Sequence, residues 1–167
     1  MEGARIIVVM GVSGCGKTTV GKQVAAGLGC EFVEGDQYHC PQNIAKMASG
    51  QPLDDGDRRG WMDSLNQKLV EVVNSGARAV LACSALKGTY RDWLTRGITD
   101  HLLFIYIKGD FDEINQRMQE RQGHYMKANM LRSQFEALEE PQGVPAYDLV
   151  LGSDNIAKQV LDALGGK

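Results

Sequence analysis

Residues 11–18 read Gly-Val-Ser-Gly-Cys-Gly-Lys-Thr, and this run constrains the chain more than any other stretch. It matches G-x-x-x-x-G-K-[ST] at every fixed position, follows an apolar run over 5–10 and leads into a helical pattern over 17–28. Strand, glycine loop and helix in that order make a phosphate-binding P-loop. Gly11, Gly14 and Gly16 lack Cβ atoms, so the backbone can take left-handed angles and turn successive N–H groups towards a polyphosphate. The following helix adds its unpaired first-turn N–H groups and the positive end of its dipole. Lys17 is then placed to reach the β- and γ-phosphates of ATP, and the Thr18 hydroxyl to meet Mg²⁺. The expected nucleotide site is the whole stretch, with Val12, Ser13, Cys15 and Thr19 beside those residues.

A chain of 167 residues can bury one full core but not two, so a single domain over 1–167 is expected. With 43% apolar residues, 23% charged residues and a formal charge of -3, composition makes no electrostatic case for nucleic acid or an anionic membrane as partner. No apolar run approaches the roughly 20 residues of a membrane-spanning helix, and the first residues lack the layout of a signal peptide. A cytoplasmic protein is the expectation. Cys15, Cys30, Cys40 and Cys83 show no C-x-x-C spacing and read as reduced thiols. At the head of a helix beside Lys17, Cys15 is expected to have its thiolate favoured and to be reactive; its rival placement is inward, in the packing.

Beyond the P-loop, strands are predicted over 30–33, 77–83, 101–107 and 146–151. Helices are predicted over 41–50, 58–74, 87–94, 111–121, 128–138 and 155–164, with a polar turn over 51–57. Strands joined by helical crossovers give a three-layer α/β/α domain with a parallel core sheet of about five strands. A helical insertion falls at about 37–75, and a lid at about 121–130.

Ligands of such sheets gather at the carboxyl ends of the strands. Glu34 and Asp36 flank a glycine at that end of the second strand, whereas the third ends in Cys83 and Ser84 without a carboxylate. Asp36 is therefore the expected general base, or orienting group, for an acceptor hydroxyl, with a further role near the metal open to it. Glu34 is expected to hold a metal-bound water. Arg58, Lys87 and Arg91 suit recognition of a small anionic acceptor, and His39 could add a polar contact. Arg117 and Arg121 share a helix face before a glycine-bounded segment and are expected to close on the transferring phosphate. The rival for each basic residue is a solvated surface charge.

Several blocks resemble the bacterial thermoresistant gluconokinases. They are Gly-Asp-Gln-Tyr-His-Cys-Pro over 35–41, Pro-Leu-Asp-Asp-Gly-Asp-Arg over 52–58, Ala-Cys-Ser-Ala-Leu-Lys over 82–87, Tyr-Arg-Asp over 90–92, Gly-His over 123–124 and Gln-Phe-Glu-Ala-Leu over 134–138. The resemblance implies ATP- and Mg²⁺-dependent phosphorylation of D-gluconate to 6-phospho-D-gluconate on the shikimate and nucleoside monophosphate kinase fold, by a homodimer. Under it Asp36 is the base, Arg58 takes the gluconate carboxylate, and Ser84, Lys87 and Arg91 line the acceptor pocket. Arg117 lies by the adenine, Arg121 by the phosphates, and His124 on the acceptor side. Cys15 and Glu34 depart from the Ser and Asp more usual in that family. Rival readings are a kinase for another small carboxylate such as shikimate, and a switch module that hydrolyses ATP slowly.

Overall fold

The computed structural model describes residues 3–120 and 128–165. Five strands, β1 (Ile6–Met10), β2 (Glu31–Glu34), β3 (Ala79–Ala82), β4 (Leu102–Lys108) and β5 (Ala146–Asp148), form one sheet in the order β2-β3-β1-β4-β5, and every pairing is parallel. β1 is central and fully buried along its length, which is why it reads as an unbroken apolar run. The crossovers are helical: α1 (Lys17–Leu28), α2 (Pro41–Ala48), α3 (Asp55–Asn74), α4 (Gly88–Thr95), α5 (Phe111–Glu120), α6 (Ala128–Ala137) and α7 (Ser153–Ala163).

Strand register positions the site. Val9 and Glu34 both pair with Ala82, so these three residues stand level across β1, β2 and β3. Gly11, Asp36 and Ser84 each lie two residues beyond that level, which brings the phosphate loop and both neighbouring strand ends to one edge.

Two boundaries differ from expectation by three residues. α3 begins at Asp55, three residues before the predicted start, because Asp54 and Asp57 form a reciprocal capping box: Asp57 N–H donates to Asp54 Oδ1 (2.7 Å) and Asp54 N–H to Asp57 Oδ2 (3.0 Å). Asp55 thereby enters the first helical turn instead of a loop, and Arg58 stands one turn into the helix instead of at its start. β5 stops at Asp148, whose side chain accepts from Val150 N–H (3.0 Å) and turns Leu149–Leu151 into a short 3-10 helix. α3 buries Trp61, Met62, Leu65, Leu69 and Val72, the helical spacing of a core-facing stripe. The predicted lid over 121–130 falls largely outside the described residues, as do Arg121 and His124.

Candidate active site

The phosphate loop takes its shape from glycines held at positive φ, where a side chain would be strained. Gly11 has φ 148°, and a Cβ there would lie 2.7 Å from the Ile107 carbonyl oxygen and 2.8 Å from Cys15 Sγ. At Gly14 (φ 81°) a Cβ would meet Met118 Cγ of α5 at 2.8 Å. Gly16, left-handed at φ 99°, starts α1 without a side-chain cap, and the first turn carries no acid, so its N–H groups and dipole face outward uncompensated. Lys17 Nζ donates to the Val12 carbonyl at 2.9 Å, which holds the ammonium over the loop. Thr19 is exposed in the same first turn, while Val12 is buried under the loop.

Cys15 corrects one expectation. Its side chain is 2% exposed and belongs to the core cluster, turned beneath Gly11 instead of towards solvent. Only its backbone faces the loop, so the expected reactivity has no accessible thiol behind it. Cys83 is also enclosed, and burial pushes its thiol up to about 12. Among the four cysteines, Cys40 is the exposed one.

Thr18 Oγ1 donates to Glu34 Oε2 at 2.6 Å. The hydroxyl hydrogen is thus engaged, leaving oxygen lone pairs for a hard cation, while the carboxylate beside it can accept from cation-bound water. This all-oxygen donor set fits Mg²⁺, which keeps several waters and relies on substrate phosphates. Among the described residues no three His, Cys, Asp or Glu side chains group to hold a metal by themselves.

On the acceptor side, Asp36 stands exposed in the 3-10 turn Gly35–Tyr38 that follows β2. Gly35 lets this turn lie against β3: a Cβ there would sit 2.4 Å from the Ala82 carbonyl oxygen. Trp61 Nε1 donates to the Gly35 carbonyl at 2.8 Å, anchoring α3 to the same turn. His39 stacks on Trp61 with ring centroids 4.0 Å apart, and its Nδ1 lies 3.4 Å from Asn43 Nδ2. Burial lowers the His39 pKa to about 4, Asp36 opposing and Arg58 adding to the shift. His39 is therefore a neutral polar wall at neutral pH.

Arg58 is 7% exposed, with its guanidinium 5.2 Å from the Tyr90 ring centre and its Nε without a hydrogen-bond partner. Among the described residues it has no ion pair. It lines an open cavity of about 680 Å³ shared with Asp55, Lys87, Tyr90, Ser133 and Glu136. Asp55 accepts from Lys87 Nζ (3.0 Å) and from the Tyr90 hydroxyl. Those two bonds, Tyr90 first, hold its carboxyl below the usual range. The cavity thus presents one buried cation free for an anion, beside a polar edge of donors and acceptors suited to hydroxyl groups.

The remaining sequence-predicted residues divide. Ser84 is at the strand-end level, its carbonyl accepting from Gly11 N–H (3.4 Å), and the buried Ala85 after it is left-handed at φ 44°, local strain of the sort held at functional sites. Arg91 does not line the cavity. Its guanidinium donates to the carbonyls of Ala85 (2.7 Å), Leu86 (3.2 Å) and Glu139 (3.1 Å), so it braces the acceptor loop from behind. Arg117 is exposed on α5. Asp55 and Tyr90 were not foreseen as site residues; helical spacing of Tyr90 from Lys87, and the Asp-x-x-Asp cap before Arg58, were the signals that could have found them.

The model of the shikimate kinase family matches residues 13–155. The thermoresistant gluconokinase of Escherichia coli K12 is 48% identical over 149 residues, covering 89% of this chain and 85% of that protein. Among solved structures, a gluconokinase from Sinorhizobium meliloti 1021 superimposes with a TM-score of 0.88 at 38% identity, covering 99% of this chain and 94% of that one. A sugar kinase from Janibacter sp. gives a TM-score of 0.90 at 40% identity, covering 98% and 95%.

Proposed function

The chain belongs to the gluconokinases, within the wider family of shikimate kinase type, and from that membership we propose how its site carries out the transfer. It is a kinase that moves the γ-phosphoryl group of ATP to D-gluconate, giving 6-phospho-D-gluconate and ADP. The observation that carries the acceptor reading is Arg58: a guanidinium buried without an ion pair is costly, and a substrate carboxylate is the partner that would satisfy it. The Asp55–Lys87–Tyr90 edge then accepts and donates along the polyol chain.

With the carboxylate on Arg58, the far hydroxyl of the acceptor is directed to the strand-end edge. There Asp36 takes its proton as the oxygen attacks phosphorus. Lys17 and the loop N–H groups stabilise the charge on the transferring group. Arg117 is assigned to the adenine, as the resemblance to thermoresistant gluconokinases implies. Mg²⁺ would be held by Thr18 and, through water, by Glu34, and it supplies neutralisation of the phosphate oxygens. His39 and Ser84 are assigned as polar contacts to the acceptor.

Shikimate also carries one carboxylate and would satisfy Arg58, but the 48% identity to a gluconokinase favours the acyclic acid. We place the protein in the cytoplasm, where ATP and reduced thiols coexist, and as a homodimer, as the resemblance to thermoresistant gluconokinases implies. Among the described residues no helix is long and apolar enough to cross a membrane. The test is product identification by ³¹P and ¹³C NMR after reaction with MgATP. Phosphorus coupled to C6 of gluconate with equimolar ADP is expected. Free phosphate without sugar phosphate would support a slow ATP-hydrolysing switch instead.

A further inference from the structure

α6 and the residues just after it meet the acceptor cavity, the acceptor loop and the phosphate loop. At its start Asn129 Nδ2 donates to the Gly50 carbonyl (3.3 Å) in the turn between α2 and α3. Beyond its end, Glu139 N–H donates to the Leu86 carbonyl (2.8 Å) of the acceptor loop. Ser133 and Glu136, on its middle turns, line the cavity that holds Arg58. Between those two residues stands Gln134, and its amide faces the phosphate loop. Ser13 N–H donates to Gln134 Oε1 (2.8 Å), and Gln134 Nε2 donates to Ser13 Oγ (3.0 Å). The N–H requires an acceptor, so the amide orientation is fixed, and the two bonds together set both the peptide plane and the side chain of Ser13. The next residue, Gly14, opens the run of N–H groups that cradles phosphate.

We infer that Gln134 is a positioning residue that joins the phosphate loop to the acceptor cavity, so that occupation of either site tightens binding at the other. The inference rests on the reading of that cavity as the gluconate site. A gluconate held by Arg58 packs against the face of α6 that carries Ser133 and Glu136, and ordering of that helix is passed by the Gln134 amide to the loop. Nucleotide on the loop orders the same helix from the other side, since coupling between two binding sites is reciprocal.

The test is calorimetric titration of the whole protein with a non-hydrolysable ATP analogue and Mg²⁺, without and with saturating gluconate. In the native protein gluconate should tighten the analogue by about fivefold or more, the lower range of ordinary coupling, and the analogue should tighten gluconate by the same factor. Gln134→Ala should bring both factors close to one. Gln134→Glu, which still accepts from the Ser13 N–H and hydroxyl, should restore most of the coupling. Ser13→Ala keeps the N–H bond alone and should give an intermediate factor, so a Gln134→Ala protein that fails to fold leaves the idea testable. A merely structural glutamine would lower the melting temperature and both affinities together with the factor intact; that result overturns the inference. Native protein that binds gluconate without coupling also overturns it while leaving the function standing, whereas native protein that binds no gluconate removes both.

Discussion

Replacing Arg58 by methionine should weaken gluconate binding while leaving the fold as stable as before or more so. The stem of Arg58 is packed, with 7% of the residue exposed, and methionine keeps much of that contact. On the stability side, an unpartnered buried donor such as Nε costs about 1–3 kcal/mol, and its removal recovers that amount. Against it stands the loss of the contact with the Tyr90 ring at 5.2 Å, about 0.5–2 kcal/mol for a desolvated cation over an aromatic face. The net falls between about -1 and +2.5 kcal/mol and centres near +1 kcal/mol, which is a rise in Tm of about 2–4 °C for a chain of this size. On the binding side, charge-assisted hydrogen bonds to a carboxylate contribute about 1.5–3 kcal/mol, so KM for gluconate should rise roughly ten- to a hundredfold. KM for ATP should stay near its native value. The assays are calorimetric melting and coupled ADP release with each substrate varied. A fall in stability of more than about 2 kcal/mol with an unchanged gluconate KM would show that Arg58 holds the fold together and would refute the reasoning.

Asp36→Asn should lower kcat about a hundredfold or more with little change in either KM, because it removes a proton acceptor needed only as transfer proceeds; steady-state ADP release reads this, and a raised KM at native kcat would make Asp36 a binding group. His39 adds a pH dependence of stability. Its folded pKa of about 4 lies below the ordinary 6.5, so the unfolded chain binds the proton more readily between those values. Its contribution is complete above about pH 6.5 and is lost as pH falls towards 4. Melting temperature against pH should therefore fall less steeply for His39→Gln than for the native protein over that window, and identical slopes would contradict the burial of a neutral imidazole.

The secondary structure was largely legible because the two periodicities are clean: continuous apolar runs for strands covered on both faces, and helical stripes such as Trp61, Leu65 and Leu69. α1 occupies the residues expected of it, and the sheet has the expected five parallel strands. Asp36 and Ser84 could be placed because a strand end is a local property that register then aligns. What escaped was tertiary. The α3 start was hidden because its capping box uses Asp57 where Glu or Gln is the familiar signal, and the same turn-rich stretch concealed Asp55. Arg91 spends its donors on main-chain carbonyls, which no side-chain pattern reports. The inward turn of Cys15 depends on Gly11 lying close to Ile107 of β4, a neighbour almost a hundred positions away along the chain.

The central claim, that a buried Arg58 and a strand-end Asp36 together select a polyhydroxy monocarboxylate as phosphate acceptor, is tested most directly by kcat/KM for ADP release across a panel of acceptors with MgATP. The panel contains gluconate, sorbitol, which keeps the hydroxyl chain but lacks the carboxylate, and shikimate, which keeps the carboxylate on a ring. Gluconate should exceed sorbitol by about ten- to a hundredfold, the carboxylate's contribution, and should exceed shikimate as well. Equal values for gluconate and shikimate, or ADP release indifferent to every acceptor, would contradict the account.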